Sequence, residues 1–188
     1  CGVHFMAQTA KIICPDKTVL MPDPHAGCPM ADMMTVEQLR DFKAQHPGAP
    51  VVTYVNSTAE VKADSDICCT SANSVRVVES VDAKRILFVP DKYLGTWTAS
   101  QVDKEIILWD GYCPTHERLT PETVPDLQAE HPDAAFICHP ECRPEVTALA
   151  DAVLSTGGMG KFAAEIEVRE VIVGTEESMV YRLQQDNP

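Results

Sequence analysis

The chain has 188 residues, a hydrophobic fraction of 45% and a formal net charge of −13. This length admits one large or two small domains, and so acidic a protein disfavours nucleic acids and anionic membranes as partners. It contains no apolar run of about 18 residues and no visible secretory leader, so we expect a cytoplasmic protein without a transmembrane helix. The eight cysteines are scattered along the chain, which favours reduced thiols, some in the core and a few as metal ligands.

The first half of the chain alternates between helical and strand periodicity. Thr35 and Gln38 have the spacing of a capping box, which predicts a helix over residues 35–45. Further helices are predicted at 58–65 and 73–81, and strands at 50–55, 66–71, 85–91 and 104–110.

The second half continues the alternation. Helices are predicted at 120–131, 143–151 and 177–185, and strands at 134–140, 152–158 and 169–176. Pro125 falls inside the first of these helices and weakens that prediction. Strands that alternate with helices predict an α/β protein with short parallel sheets and helices on both sheet faces, which is a three-layer αβα arrangement.

The two halves are related by an internal repeat. With an offset of 85 residues, Cys28–Asn73 aligns with Cys113–Gly158 without a gap, and the shared residues include His46/His131 and Asp66/Asp151. A unit of this size is a small domain and is much longer than a solenoid repeat.

A shorter likeness extends the repeat towards the start of the chain. Residues 1–23 resemble residues 69–91, which indicates the tail of an earlier unit. We therefore predict three segments. Residues 1–30 are the C-terminal tail of a first α/β domain, residues 31–115 are a second domain, and residues 116–188 are a truncated third domain.

The residues that leave the predicted strands form the candidate site, because ligands of parallel α/β sheets bind beyond the carboxyl ends of the strands. The repeat conserves the scaffold and changes polar residues at three such ends. Tyr54 matches His139, Asn56 matches Glu141, and Ser71 matches Thr156. One pocket shared by the two repeat units would need different polar groups on its two sides.

Cys28 and Cys113 also match, and each precedes a proline. Three equivalent thiolates on a pseudo-three-fold axis would suit an iron–sulfur cluster with one iron open to substrate, with the third cysteine just beyond Pro188. Alternatively, both cysteines are small buried residues that the duplication copied. The spacing alone leaves both interpretations open.

Other thiols and one histidine have more ordinary interpretations. Three cysteines on predicted strands are expected in the core: Cys68, Cys69 and Cys138. Cys142 is expected to pack rather than to ligate. His116 could share a metal with Cys113, but a solvated position at the start of a helix is the favoured interpretation.

The chain contains several longer motifs: CGVHFMAQTAKI, VVTYVNSTAEVKA, FVPDKYLG, GYCPTHER, and HPECRPEV followed by STGGM. These motifs resemble the quinolinate synthase family, the iron–sulfur enzymes of pyridine nucleotide (NAD) biosynthesis. The resemblance covers essentially the whole chain and implies an internal piece of a longer protein that lacks both ends. It also implies three similar α/β domains around a pseudo-three-fold axis.

The resemblance implies a reaction and a cofactor. The family condenses iminoaspartate with dihydroxyacetone phosphate to quinolinate, phosphate and water, as a transferase whose 4Fe-4S cluster acts as a Lewis acid. Cys28 and Cys113 are implied as two cluster ligands, and the third cysteine is expected beyond Pro188. An oxidase that produces iminoaspartate is a candidate partner, and the chain by itself is expected to be inactive.

The resemblance also implies the substrate site, which comprises Tyr54, Val55, Asn56, Ser71, His139, Pro140, Glu141 and Thr156. Of these residues, Tyr54, His139 and Glu141 carry groups that move protons and are the predicted catalytic residues. Ser71 and Thr156 precede predicted helices, where hydroxyls and backbone N–H groups bind anions. The alternative function is a non-enzymatic duplicated α/β module that binds a phosphorylated metabolite or a metal ion.

Overall fold

The computed structural model describes residues 2–187. They form two compact units, one ending at Tyr112 and the other beginning at Cys113. No helix in this part of the chain is long and apolar enough to cross a membrane.

The first unit is built on a four-stranded sheet. Its strands are β1 (Val51–Tyr54), β2 (Ile67–Cys69), β3 (Arg85–Val89) and β4 (Glu105–Leu108). All pairs are parallel, in the order β2–β1–β3–β4. Its helices are α1 (His4–Ile13), α2 (Val36–Gln45), α3 (Ala59–Ala63), α4 (Ser74–Ser80) and α5 (Lys92–Ala99).

Helices cover both faces of this sheet, which explains why every residue of β1 and all but the first residue of β3 are buried. On one face, Val51 and Leu87 pack with Leu39 of α2 and Val61 of α3. On the other face, Phe88 packs under α5 at Gly95, where an added Cβ would lie 2.9 Å from the phenyl ring.

The second unit is built on a three-stranded parallel sheet. Its strands are β5 (Ala135–Cys138), β6 (Ala152–Val153) and β7 (Val171–Gly174), in the order β6–β5–β7. Its helices are α6 (Pro114–Glu117), α7 (Thr123–Glu130), α8 (Pro144–Thr147), α9 (Thr156–Glu165) and α10 (Glu177–Asp186). Phe136 packs towards α7 and α8, whereas Ile137 packs towards α9 and α10.

The fold reproduces the internal repeat in strand order and in register. Val51 pairs with Leu87 in the first unit, and the matching Phe136 pairs with Ile172 in the second. The α/β class with short parallel sheets and helices on both faces is therefore confirmed. The pseudo-three-fold arrangement and the three-segment division of the chain stay predictions.

The repeated aspartates have the same structural role in the two units. Asp66 Oδ2 accepts a hydrogen bond from Val51 N at 2.7 Å, and Asp151 Oδ2 accepts one from Phe136 N at 2.8 Å. Each aspartate also donates its own N–H to the carbonyl of the same strand residue, at 3.1 and 2.8 Å. Each carboxylate therefore closes the loop that leads into the second strand of its unit.

Most predicted elements are confirmed, with shifted ends. The capping box is present, because Thr35 Oγ1 accepts from Gln38 N and Thr35 N donates to Gln38 Oε1 at 2.9 Å. The helix predicted from residue 120 begins at Thr123, which places Pro125 in the first turn, where a missing N–H costs little. The strand predicted at 152–158 ends at Val153, and α9 takes over at Thr156.

The predicted core cysteines are buried with one exception. Cys69, Cys138 and Cys142 are each at most 1% exposed. Cys68 is exposed, so the prediction that it lies in the core is wrong. β2 is an edge strand, and its first two residues, Ile67 and Cys68, are exposed while only Cys69 is buried.

The N-terminal helix α1 is attached to α3 by polar contacts. Gln8 Oε1 accepts from Ala59 N at 3.0 Å, and Lys62 Nζ donates to Thr9 Oγ1 at 2.8 Å. Large apolar side chains of this N-terminal segment remain exposed, including Met6, Ile12, Ile13 and Leu20.

Candidate active site

In the first unit, Tyr54 and Asn56 lie where β1 ends. Tyr54 is the last residue of the strand and is buried. The backbone that follows is held on both sides, because Val55 N donates to Cys69 O at 2.9 Å and Ser57 Oγ donates to Tyr54 O at 2.9 Å. The Tyr54–Asn56 loop is therefore fixed against the neighbouring strand β2.

Ser71 and Cys28 lie on irregular segments of the same unit. Ser71 is in the turn after β2, where Thr70 N donates to Asn73 Oδ1 at 2.6 Å just before α4 begins. Cys28 is half-buried and precedes α2, and its carbonyl accepts from Asp32 N at 3.0 Å. Neither side chain belongs to the apolar core.

In the second unit, the predicted segment His139–Glu141 leaves the end of β5 and is buried. His139 N donates to Gly174 O of β7 at 3.0 Å, which ties the segment to the adjacent strand. The side chains of His139 and Glu141 are only 5% and 4% exposed. A carboxylate buried to this extent needs polar partners.

The imidazole of His139 is held in one neutral form. Glu141 N donates to His139 Nδ1 at 3.3 Å, so this nitrogen is an acceptor and the ring proton is on Nε2. Burial, with a further contribution from His116, lowers the pKa of His139 to about 4 despite the opposing effect of Glu141. At neutral pH, His139 is an uncharged hydrogen-bond donor through Nε2.

His116 completes this cluster, and the prediction that it is solvated is wrong. It lies in the four-residue helix α6, and its residue is 6% exposed. Its Nε2 is 2.9 Å from Thr175 Oγ1, and its ring stacks on His139 with centroids 4.9 Å apart. His116 Nδ1 lies 3.0 Å from Glu141 Oε2, an ion-pair distance, although the angle is not that of a hydrogen bond.

Cys113 lies beside these groups as the N-cap residue of α6. Burial, together with the nearby Glu141, raises the pKa of the Cys113 thiol to about 11. Cys113, His116 and Glu141 each place one ligand atom within 4.8 Å of the others. This set of sulfur, nitrogen and oxygen donors is able to hold a metal ion, which would displace the thiol proton.

Thr156 is the first residue of α9, near the end of β6. Ser155 is the cap of this helix, and its Oγ accepts from Gly158 N at 3.2 Å. An added Cβ at Gly157 would meet nothing within 4 Å, so the first turn of α9 is open to a ligand.

The second unit thus brings together Cys113, His139 and Glu141, while Tyr54, Asn56 and Ser71 lie at strand ends of the first unit. Sequence reasoning missed Thr175 and misjudged His116. Thr175 directly follows β7 and matches Pro90 under the repeat. Extending the strand-end rule to this third strand would have found it.

Comparison with known proteins gives the family. A model of the family described as Quinolinate synthetase A protein matches residues 1–188. The chain is 61% identical to the quinolinate synthase of Dehalococcoides mccartyi, 60% to that of Geotalea uraniireducens and 53% to that of Methanosarcina barkeri. Each match covers all of this chain and 62% of the relative.

The chain is therefore an α/β protein that belongs to the quinolinate synthetase A family. It spans less than two thirds of the length of the curated relatives that it matches.

Proposed function

We propose that the protein to which this chain belongs is a quinolinate synthase. It would condense iminoaspartate with dihydroxyacetone phosphate and release quinolinate, phosphate and two molecules of water. Besides family membership, the observation that carries this proposal is the buried carboxylate of Glu141. Near the carboxyl end of β5, its Oε2 lies 3.0 Å from His116 Nδ1 and its Oε1 lies 3.7 Å from His139 Nδ1, with Cys113 in the same cluster.

The thiols fit the proposed 4Fe-4S cofactor. Cys28 and Cys113 are half-buried, on an irregular segment and at a helix N-cap, whereas Cys69, Cys138 and Cys142 are buried in the core. Cys28 and Cys113 would hold the cluster together with a third cysteine beyond Pro188. When bound, the cluster supplies an open iron that acts as a Lewis acid on a substrate oxygen.

The protein's own groups would move the protons that condensation and dehydration require. Glu141 is the proposed general base, because its carboxylate is buried beside two imidazoles after the end of β5, where ligands of parallel α/β sheets bind. His139 would donate from Nε2 to a developing oxyanion, since its low pKa keeps the ring neutral. The hydroxyl of Tyr54 is the third proposed acid–base group.

Hydroxyls and backbone N–H groups would bind the anionic parts of the substrates. Ser71 precedes α4, and Thr156 opens the ten-residue helix α9, whose N-terminus attracts negative charge. Val55, Asn56 and Pro140 would complete the substrate site, with the Asn56 amide as the polar group among them. This arrangement lets a protein with net charge −13 bind anions without an arginine cluster.

The proposed reaction also suggests the source of one substrate and the location of the protein in the cell. Iminoaspartate would be supplied by an oxidase acting on aspartate, and a labile cluster favours a reducing, cytoplasmic location. In this proposal, residues 1–30, 31–115 and 116–188 belong to three successive domains. The chain by itself, with two of three cluster ligands, would be inactive.

The test uses the full-length protein purified without oxygen. We expect about four irons per chain and quinolinate formation from dihydroxyacetone phosphate and iminoaspartate generated in the assay. Cys113→Ser should abolish the cluster and leave the protein folded, whereas Glu141→Gln should keep the cluster and lower kcat roughly 100-fold or more. A colourless full-length protein with full activity would rule the proposal out.

One observation favours a second function. The donor atoms of Cys113, His116 and Glu141 would suit a single zinc ion, in a module that binds metal without catalysis. This alternative predicts that the 188-residue chain alone retains one equivalent of zinc, that Cys113→Ser releases it, and that the full-length protein forms no quinolinate.

A further inference from the structure

The imidazole of His116 is hydrogen-bonded at Nε2, close to a carboxylate oxygen at Nδ1 without hydrogen-bond geometry, and stacked on one face. Thr175 Oγ1 lies 2.9 Å from Nε2, Glu141 Oε2 lies 3.0 Å from Nδ1, and the His139 ring stacks on the ring face with an interplanar angle of 23°. A rotation of this buried ring would break at least one of these contacts. His116 therefore connects the two groups to which acid–base roles are assigned above.

Thr175 anchors this arrangement to the sheet. It directly follows Gly174, whose carbonyl accepts from His139 N at 3.0 Å and from Cys142 Sγ at 3.3 Å. Thus Gly174, at the end of β7, holds the backbone of His139, and the next residue, Thr175, holds the ring of His116. Both contacts depend on the rigid β5–β7 pairing.

The duplicated unit provides an internal comparison. Under the repeat, His116 matches Ala31 and Thr175 matches Pro90. Ala31 is buried at this position in the first unit, so the scaffold forms without an imidazole there. In that unit the strand-end residues are Tyr54 and Asn56. The His116–Thr175 pair therefore accompanies His139 and Glu141 and is not a requirement of the shared fold.

We propose that His116, held by Thr175, is a positioning residue that fixes the Glu141 carboxylate and the His139 ring for catalysis. It acts through these two residues and does not itself contact substrate. This inference rests on the proposed function, because positioning matters only if Glu141 and His139 carry out the acid–base steps.

The activity test compares four variants of the full-length protein. His116→Ala should lower kcat roughly 10–100-fold, the usual effect of losing a residue that orients a functional group, and should change KM much less. His116→Asn places an amide where Nδ1 lies and should recover part of the loss, whereas His116→Gln places it near Nε2 and should recover less. Thr175→Val should cause a smaller loss than His116→Ala.

Matched measurements separate positioning from a structural role. Iron content and thermal midpoint should stay at parent values in all four variants, and Ala31 shows that alanine is compatible with the scaffold at this position. A merely structural residue would lower stability and kcat together and would show no preference for asparagine over glutamine.

A second readout does not require activity. In two-bond ¹H–¹⁵N spectra of the 188-residue chain, His139 should be a single Nε2–H tautomer, and His116→Ala or Thr175→Val should produce a mixture. If the parent protein forms no quinolinate, the proposed function fails and these spectra still decide the positioning role. A parent-like kcat in an active His116→Ala protein, or a parent-like His139 spectrum, overturns the inference.

Discussion

Strands β1 and β5 hold equivalent places in their units, yet β1 ends in Tyr54 and β5 ends in Cys138, followed by His139. The bonds that shape both loops involve mainly backbone atoms, such as Val55 N to Cys69 O and His139 N to Gly174 O. Backbone bonds are indifferent to the side chain, so the polar groups at these ends can change while the scaffold stays the same. The two units thus share the backbone contacts that shape these strand ends and differ in the polar side chains of the candidate site.

The cores of the two units also differ at two matched positions, where a larger residue at one is accompanied by a smaller residue at the other. The pair Val51 and Val89 in the first unit is matched by Phe136 and Gly174 in the second. An added Cβ at Gly174 would lie 2.8 Å from Cys138 Cβ and 3.0 Å from the Phe136 ring. The larger ring therefore occupies space that the smaller residue leaves, which conserves volume within one fold.

The largest predicted effect tests this exchange. Gly174→Val should destabilise the second unit by about 3 kcal/mol, because the core is already filled by Phe136. The double variant Phe136→Val with Gly174→Val should recover part of this loss, since the contact with Cys138 Cβ remains. Hydrogen exchange of peptides from β5 and β7, measured by mass spectrometry, reports the change. Equal stability of Gly174→Val and the parent would show that the exchange is not compensatory.

The repeated aspartates should have equal effects in the two units. Asp66→Ala and Asp151→Ala each remove a charged acceptor of a strand N–H and should cost about 1.5 kcal/mol. The exposed Asp103 provides a control, and Asp103→Ala should change stability by less than about 0.5 kcal/mol. Clearly unequal effects of the two aspartate variants would mean that this hydrogen bond to the strand N–H does not stabilise the two units in the same way.

The matched threonines should behave differently. Thr35→Ala should cost about 1 kcal/mol, because its hydroxyl caps α2. Thr120→Ala should cost less than half as much, because α7 begins later and its cap residue is Glu122, which makes no side-chain cap bond. Denaturant unfolding followed by peptide hydrogen exchange distinguishes these values, and similar losses for both variants would contradict the capping argument.

The smallest effect concerns a surface cluster of the first unit. The hydrogen bond from Arg40, assisted by Lys43, lowers the pKa of Asp64 below its ordinary value of 3.8. Because the folded pKa is the lower one, this stabilisation is present above pH 3.8 and is lost as the pH falls through the folded pKa. Asp64→Asn should make the first unit less dependent on pH in this acid range.

Fluorescence isolates this effect, because the only tryptophans, Trp97 and Trp109, both belong to the first unit. The second unit has Pro125, Gln128 and Leu149 at the positions that match Arg40, Lys43 and Asp64. Its hydrogen exchange in acid should therefore be unaffected by Asp64→Asn, and a change there would contradict the assignment.

The sequence predicted the scaffold well because the scaffold depends on local patterns. Periodicity located nearly all strands, and the Thr35–Gln38 spacing located a helix start. The core prediction failed for Cys68, because β2 lies at the edge of its sheet and only its last residue, Cys69, is buried, whereas the position of a strand within a sheet is not a local property of the sequence. Sequence-based prediction also failed for His116, because the short helix α6 offers no periodicity, and the burial of its ring depends on Thr175, which is distant in sequence.

Strand β7 has a neighbour on one side only, whereas the matching β3 lies between β1 and β4. Within residues 2–187, no strand pairs with the outer edge of Val171, Ile172 and Val173, which are themselves only half-buried. An apolar edge of this kind is a template for strand addition between molecules. Preparations of the 188-residue chain should therefore self-associate as concentration rises, which analytical ultracentrifugation would measure.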